Sequence, residues 1–154
     1  MSERRDIQVM RAMEDAAAGG VPWIPVSWGE LLDKITILEL KTTRIDDLQR
    51  RRNVECELAL LRSVQERTMG LPESVMALSR ELAATNAQLW DIEDEIRHLD
   101  REGEFGPCFV KLAQAVYRTN DQRAGLKRQI DQLMGSALVE EKWYPAARTG
   151  NTGG

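Results

Sequence analysis

Aromatic residues, histidine and cysteine are all scarce in this chain. Aromatic side chains make up 5% of the sequence, with one histidine and two cysteines, Cys56 and Cys108. The cysteines have neither metal-type spacing nor partner histidines, so we expect no metal site. The chain also has no Gly-rich phosphate loop, no G-x-S-x-G motif and no H-E-x-x-H motif. These absences predict no catalytic residue and no cofactor.

An excess of basic charge and long apolar runs are missing as well. The formal net charge is −4, so no overall basic field attracts the chain to nucleic acid or to an acidic membrane, and we expect neither as a partner. No apolar run is long enough to span a bilayer, and no signal peptide is recognisable. With so few cysteines, these features predict a reduced, cytoplasmic setting.

The composition favours helices in a single domain. The 154 residues are 42% hydrophobic and 30% charged, and Leu, Glu, Arg and Gln prevail over runs of Val, Thr and Tyr. This length suits one domain. We expect a mobile N-terminal arm over residues 1–20, a helical domain over 21–144 and a disordered tail over 145–154.

A capping box marks the start of the first long helix. Ser27 is followed three residues later by Glu30, so the serine oxygen can accept from the Glu30 N–H while the glutamate reaches back to the serine N–H. This start predicts a helix over 28–48. The apolar phase is then interrupted at the polar residues 49–53, where a kink in one long helix and a hairpin between two helices both fit.

Two heptad seams follow, over 73–101 and 108–134, separated by a break at Gly103 to Pro107. Their residues recur at alternating spacings of three and four, as is typical of packed helices. The predicted fold is therefore all-α: a helical bundle, or an antiparallel coiled-coil hairpin with additional packed helices. The first seam contains Val75, Leu78, Leu82, Thr85, Leu89, Ile92, Ile96 and Leu99, and the second contains Phe109, Leu112, Val116, Thr119, Arg123, Leu126, Ile130 and Leu133.

Polar residues interrupt the seams near their middle, and the most informative of them is Arg123. A guanidinium in a helical seam is costly unless it is paired, so we expect it to have a carboxylate or an anionic ligand. The candidate carboxylates are Asp91, Glu93 and Asp94 on the facing helix and Glu39 on the first helix.

Two interpretations of these polar positions stay open. We favour a structural ion pair that fixes the helix register. The alternative is an anion-binding pocket in the bundle core. The polar seam of the first interpretation includes Thr42, Thr85, Glu93, Asp94 and Thr119, and the pocket of the second would consist of Lys41, Arg44, Arg123 and Lys127.

Other conspicuous residues have simpler interpretations. His98 stands without a placed partner and is expected to face solvent. Trp90 flanks the seam and is expected in the core. Cys56 and Cys108 are expected to be small buried hydrophobes.

Several motifs, in chain order, suggest a family. They are S-x-G-E-L-x-D-K-I-T-I-L-E-x-K over 27–41, L-W-D-I-E-D over 89–94 and N-D-x-R-A-x-L-K-R over 120–128, followed by Gly135-Ser136, Glu140-Glu141-Lys142 and Tyr144. Together they resemble a small bacterial family of all-helical proteins known only as a domain of unknown function. Trp28 and Trp143 depart from the expected pattern. The resemblance covers about 26–144, implies an all-helical fold and brings no established activity.

A second resemblance is local. The run L-L-D-K-I-T over 31–36 is similar to the first helix of the all-helical chorismate mutases, which hold a dianionic substrate with basic side chains inside a bundle. However, Leu32, Gln49 and Leu60 stand where basic residues of that enzyme would be expected. These departures argue against the activity, though not against a related helical hairpin.

The expected function is binding. The seams are long for a chain of this length, and a second copy would bury their exposed part, so we expect an accessory or assembly module that forms a homodimer and has a possible further protein partner. The alternative is an enzyme or sensor that holds a small anionic ligand around Arg123. The two hypotheses differ in whether Arg123 has a protein carboxylate within reach.

Overall fold

The fold is a bundle of helices. A computed structural model describes residues 22, 24–67 and 70–142. About 80% of these residues are helical, and no strand occurs among them. The predicted all-α helical bundle is confirmed, whereas the predicted arm over 1–20 and tail over 145–154 lie outside the described residues. The helices are α1 (Trp28–Arg44), α2 (Leu48–Glu66), α3 (Glu73–Glu102) and α4 (Pro107–Met134).

Helix α1 starts where the capping box predicts. The Ser27 Oγ accepts a hydrogen bond from the Glu30 N–H at 3.2 Å, and the Ser27 carbonyl accepts from the Leu31 N–H at 3.1 Å. The Glu30 carboxylate has a different role from the predicted one, because it accepts a hydrogen bond from Lys127 Nζ at 2.5 Å. One half of the box therefore caps the helix, and the other half makes a tertiary contact.

The break after α1 comes earlier than the sequence pattern predicts. The helix ends at Arg44 rather than at residue 48, and Asp47 caps α2 by accepting from the Arg50 N–H at 2.7 Å. Residues 49–53 belong to the first turns of α2. Aspartate is a strong N-cap and arginine a good helix former, so the boundary falls before the arginine run and not within it. The break separates two helices that pack on each other.

Helices α3 and α4 form an antiparallel hairpin. Their bounds agree with the predicted 73–101 and 108–134 to within one residue. Gly103 and Gly135 end the two helices in the left-handed conformation, with φ of 72° and 61°, which glycine adopts without a steric penalty. Asn86 and Arg123 are almost equally distant in sequence from the connecting loop, and both bond to the same residue, Asp33.

Helix α1 lies at the centre of the packing. It contacts α2, α3 and α4, whereas α2 packs on α1 alone among the described helices. The apolar face of α1 supplies four of the nine residues of the buried core cluster. That cluster comprises Leu31, Leu32, Ile35, Leu38, Leu58, Val75, Leu82, Leu126 and Ile130.

The structure also tests the expectations for single residues. His98 is exposed, as predicted, and Trp90 is half-buried. The expectation for the cysteines is wrong, because Cys56 and Cys108 are both exposed. Cys56 lies on α2, which packs on α1 alone among the described helices, and Cys108 lies in the first turn of α4 next to the hairpin loop.

Candidate functional site

Arg123 has a carboxylate partner, and it is Asp33 of α1. The Arg123 Nε donates to Asp33 Oδ1 at 2.9 Å and Nη2 donates to Oδ2 at 2.5 Å, so the pair is bidentate. The Asp33 side chain is 3% exposed and that of Arg123 is 25% exposed. The hydrogen bond to Asp33 outweighs the opposing effect of burial and raises the pKa of Arg123 above its ordinary value. The guanidinium is therefore permanently charged.

None of the predicted carboxylates is this partner, because α1 packs against both helices of the hairpin and presents its own aspartate there. Each predicted carboxylate has an exposed basic partner instead. Asp91 pairs with Arg44, Glu93 and Asp94 pair with Arg97, and Glu39 pairs with Arg62.

Asp33 also holds α3. The Asn86 Nδ2 donates to Asp33 Oδ1 at 2.9 Å and lies 3.0 Å from Thr36 Oγ1, which in turn donates to the Asp33 carbonyl at 2.9 Å. One buried carboxylate thus joins α1, α3 and α4. The sequence carried a signal for this role, since Gly29, Asp33 and Thr36 follow one another at helical spacing among larger apolar residues.

Lys127 is the second paired cation of α4, and unlike Arg123 it is buried. Its side chain is 8% exposed, and Nζ lies 2.5 Å from Glu30 Oε1 and 3.1 Å from Glu140 Oε2. Burial alone would lower the pKa of Lys127, but the hydrogen bonds to Glu30 and Glu140 together raise it above 10.5. The lysine is therefore charged and doubly paired at neutral pH.

The raised pKa of Lys127 predicts a loss of stability at alkaline pH. Its contribution to folding is fully present below the unfolded-state pKa of 10.5 and is lost as the pH rises through the higher folded-state value. Urea unfolding at several pH values should show a steeper alkaline decline for the wild type than for Lys127→Met. The exposed Lys111, on the same helix, provides the control: Lys111→Met should keep the wild-type slope. Equal slopes in all three proteins would contradict this account of Lys127.

Asp131 joins the N-terminus of α1 to the C-terminal segment. Its Oδ1 accepts from the Gly29 N–H at 2.7 Å, and its Oδ2 accepts from the Glu140 N–H at 3.1 Å. Ser136 Oγ lies 3.3 Å from Asp131 Oδ1 and accepts from the Trp28 N–H at 3.1 Å. Two of the first-turn donors of α1 are satisfied in this way by α4 and the residues after it.

The structure brings together only part of the predicted anion pocket. Arg123 and Lys127 lie one turn apart, but Arg44 pairs with Asp91, and Arg44 is eleven residues, or about 16 Å of helix axis, beyond Asp33. Lys41 is half-buried near the same end of α1.

The residues of the predicted polar seam also differ in where they lie and how deeply they are buried. Thr85 and Thr119 are buried in the hairpin, whereas Thr42 is half-buried on α1. The hydroxyls of Thr42 and Thr85 donate to carbonyls of their own helices, those of Glu39 and Glu81.

A cleft of about 430 Å³ opens beside this network, between α4 and the segment 135–142. Tyr117, Asn120, Arg123 and Lys127 contribute to its α4 wall, and Glu140 contributes from the segment. Its cations are already paired with carboxylates, including Lys142 with Asp121. The cleft is therefore roomy enough for a side chain or a small ligand, but its charges are compensated.

None of the other described helices covers the far end of the α3–α4 hairpin. The last residue of α1, Arg44, reaches only to Asp91, and α2 packs on α1 alone among the described helices. We call residues 92–118 the distal hairpin. It continues both heptad seams, yet it contains no buried residue. Its seam residues are half-buried, since two helices alone leave one side of a seam in water.

The distal part of α4 carries a second apolar row besides its seam. Val110, Ala113 and Tyr117 recur at spacings of three and four, and all three are exposed. Phe105, in the loop, is 60% exposed and packs edge-on against Phe109 at a centroid distance of 5.2 Å. An apolar row beside an apolar seam is typical of a helix that is covered on two sides.

Other kinds of site find little support in the described residues. None of their His, Cys, Asp and Glu side chains form a group of three or more that could hold a metal ion. None of the described helices combines the length and apolar character needed to cross a membrane. Comparison of the chain with protein-family models, with curated proteins and with solved structures found no match.

Proposed function

We propose that this protein is a cytoplasmic accessory or assembly module that acts by binding protein, and that its first partner is a second copy of itself. The distal hairpin is the contact surface. The observation that carries the proposal is that both heptad seams continue through residues 92–118 without one buried residue. Membership of the bacterial family named above, and a coiled-coil character of the hairpin, belong to the same proposal.

The polar network supports this proposal. Arg123 is held by Asp33, and Lys127 is held by Glu30 and Glu140, so these charges serve to fix α1 on the hairpin. Among the described residues, no other helix covers the apolar surface of the distal hairpin. A second hairpin placed against the first gives an assembly of four helices, which removes apolar surface of the distal hairpin from water.

A small anionic ligand in the cleft is the second candidate. The observation in its favour is that Arg123 and Lys127 both contribute to the cleft wall. Against it, those two cations and the three carboxylates that pair with them, Asp33, Glu30 and Glu140, sum to a net charge of −1. An anion would have to displace a carboxylate in order to bind.

Val110→Lys should convert the dimer to a monomer. Val110 is 50% exposed on the distal hairpin, so a lysine there is tolerated in the monomer but would be desolvated in the interface. Sedimentation equilibrium over a range of concentrations measures the change. Leu60→Lys is the matched control, because Leu60 is 56% exposed on α2, away from the distal hairpin.

The control should sediment as the wild type does. Circular dichroism should show the same helix content in all three proteins, so that a change in mass is not a change in folding. A wild-type protein that sediments as a monomer at every concentration would refute the proposal, as would a dimer that Leu60→Lys disrupts and Val110→Lys does not.

A further inference from the structure

We infer that the two copies pack through α4 against α4 in antiparallel orientation, with the two-fold axis near Ala113, and that Phe105 of each copy enters the cleft of the other. This inference rests on the proposed self-association and specifies its geometry. It also assigns an occupant to the cleft, namely an aromatic side chain of a second copy.

An exposed apolar row without a carboxylate selects α4 as the contact helix. The α3 side of the distal hairpin, residues 92–106, has six acidic and two basic residues, a net charge of −4. The α4 side, residues 107–118, has two basic residues and no acidic one. Packing α3 on α3 would place a net charge of −4 against another −4, whereas packing α4 on α4 places +2 against +2, which is the smaller repulsion. Helix α4 carries instead the exposed row of Val110, Ala113 and Tyr117, which has no carboxylate to desolvate.

The spacing of this row selects the antiparallel orientation. With a two-fold axis near Ala113, Val110 of one copy lies opposite Tyr117 of the other, and the small alanines meet at the axis, where they permit close approach. A parallel arrangement would place Tyr117 against Tyr117. It would also bring together the two acidic hairpin ends, each carrying Asp100, Glu102 and Glu104. The antiparallel arrangement moves those ends to opposite sides of the dimer.

The same register places the hairpin loop at the cleft. If residue 110 lies opposite residue 117, then Pro107, the first residue of α4, lies opposite Asn120 on the wall of the cleft, and Phe105 precedes Pro107 by two residues in the hairpin loop. Tyr117, Asn120 and Ala124 on that wall offer an aromatic ring, an amide and a methyl group. Phe105 is among the most exposed large apolar side chains of the described residues. Insertion into the cleft would remove it from water without disturbing the paired cations.

Disulfide cross-linking tests the geometry in the full-length chain. A disulfide requires Cα atoms about 4.4–6.8 Å apart. In the inferred dimer, two Ala113→Cys thiols meet at the axis, whereas each Cys108 lies opposite residue 119, about 16 Å along the axis from its counterpart. We would compare C56S/C108S/A113C with C56S, which retains only Cys108. At about 10 μM chain, the Ala113→Cys protein should cross-link on the order of 100-fold faster, because thiols held at the axis meet at an effective concentration near the millimolar range.

The outcomes separate this inference from the proposed function. A monomer at all concentrations refutes both. If the protein is a dimer in which Cys108 cross-links and the Ala113→Cys thiol does not, the proposed function stands and the antiparallel register is wrong.

Phe105→Ala should also raise the dimer dissociation constant roughly tenfold, as expected for a buried aromatic anchor. If Phe105→Ala leaves that constant unchanged in a dimer that cross-links at position 113, the insertion of Phe105 into the cleft is wrong.

Discussion

Arg123→Met should lower the free energy of unfolding by about 3 kcal/mol, the lower end of the range for breaking a buried ion pair. Methionine preserves the length and packing of the side chain but removes both hydrogen bonds to Asp33. The aspartate is 3% exposed, so its charge is left in the core with Asn86 as its remaining side-chain donor. Arg123 itself is 25% exposed, and water entering from that side keeps the loss near the lower end. Chemical denaturation of both proteins gives the difference.

Two further variants identify the cause of that loss. Arg97→Met removes an exposed arginine that also pairs with carboxylates, and we expect it to change stability by less than about 1 kcal/mol. Asp33→Asn combined with Arg123→Met removes both charges and keeps an acceptor for Asn86, so the double variant should be more stable than Arg123→Met alone. If the double variant is the less stable of the two, the stranded carboxylate is not the cause.

A melting temperature of the wild type that rises when an anion is added would support the ligand hypothesis. If Arg123 and Lys127 serve a small anion, phosphate, sulfate or a dicarboxylate should raise the melting temperature of the wild type and leave that of Arg123→Met unchanged. Arg123→Met would then be nearly neutral for stability, because the wild-type cations repel one another when no ligand is bound. We expect the opposite result, a large loss with no specific anion effect.

The helices are predictable because local signals set them. Ser27 caps α1, Gly103 and Gly135 end α3 and α4, and the three–four spacing places both helices of the hairpin to within one residue. The end of α1 was missed because Asp47 is a stronger boundary than the arginine run that follows it. Choosing between the two signals depends on how α2 packs, which periodicity does not reveal.

The carboxylate that pairs with Arg123 was harder to predict than the positions of the helices. Arg123 stands in a seam, so its need for a carboxylate follows from desolvation alone. Which carboxylate it uses depends on the rotation of α1 against the hairpin, and the predicted candidates were three acids of the facing helix and Glu39 of the first helix. Asp33 lies with Gly29 and Thr36 on the buried face of α1, where α1 crosses α4. That crossing depends on a close backbone contact at Gly29.

The distal hairpin shows a second property that the sequence pattern does not reveal, namely which part of a seam is buried. Its heptads have the same spacing as those near α1, so the sequence pattern treats residues 75–91 and 92–118 alike. Burial separates them, because α1 has only 17 residues and α3 has 30. A seam that extends beyond the helix covering it leaves either an exposed apolar stripe or a surface for a partner. In the self-association that we propose, a second copy covers this surface.

The same substitution, glycine to alanine, should have opposite effects at two places in this fold. A Cβ at Gly29 would lie 2.6 Å from the Lys127 carbonyl oxygen and 2.9 Å from its Cα, so α1 would have to move away from α4. The movement would stretch the hydrogen bond from the Gly29 N–H to Asp131 and the pairing of Glu30 with Lys127. We expect Gly29→Ala to destabilise the protein by about 2 kcal/mol, since crowding against backbone costs about 1–3 kcal/mol and exceeds the gain in helix propensity.

Gly125 lies inside α4 with nothing within 4 Å of the position of its Cβ. Gly125→Ala should therefore stabilise the protein by up to about 1 kcal/mol through helix propensity. Urea unfolding of the two variants measures both effects, and a loss at Gly125 equal to that at Gly29 would mean that helix-wide effects, and not the crossing of α1 over α4, set the requirement for glycine.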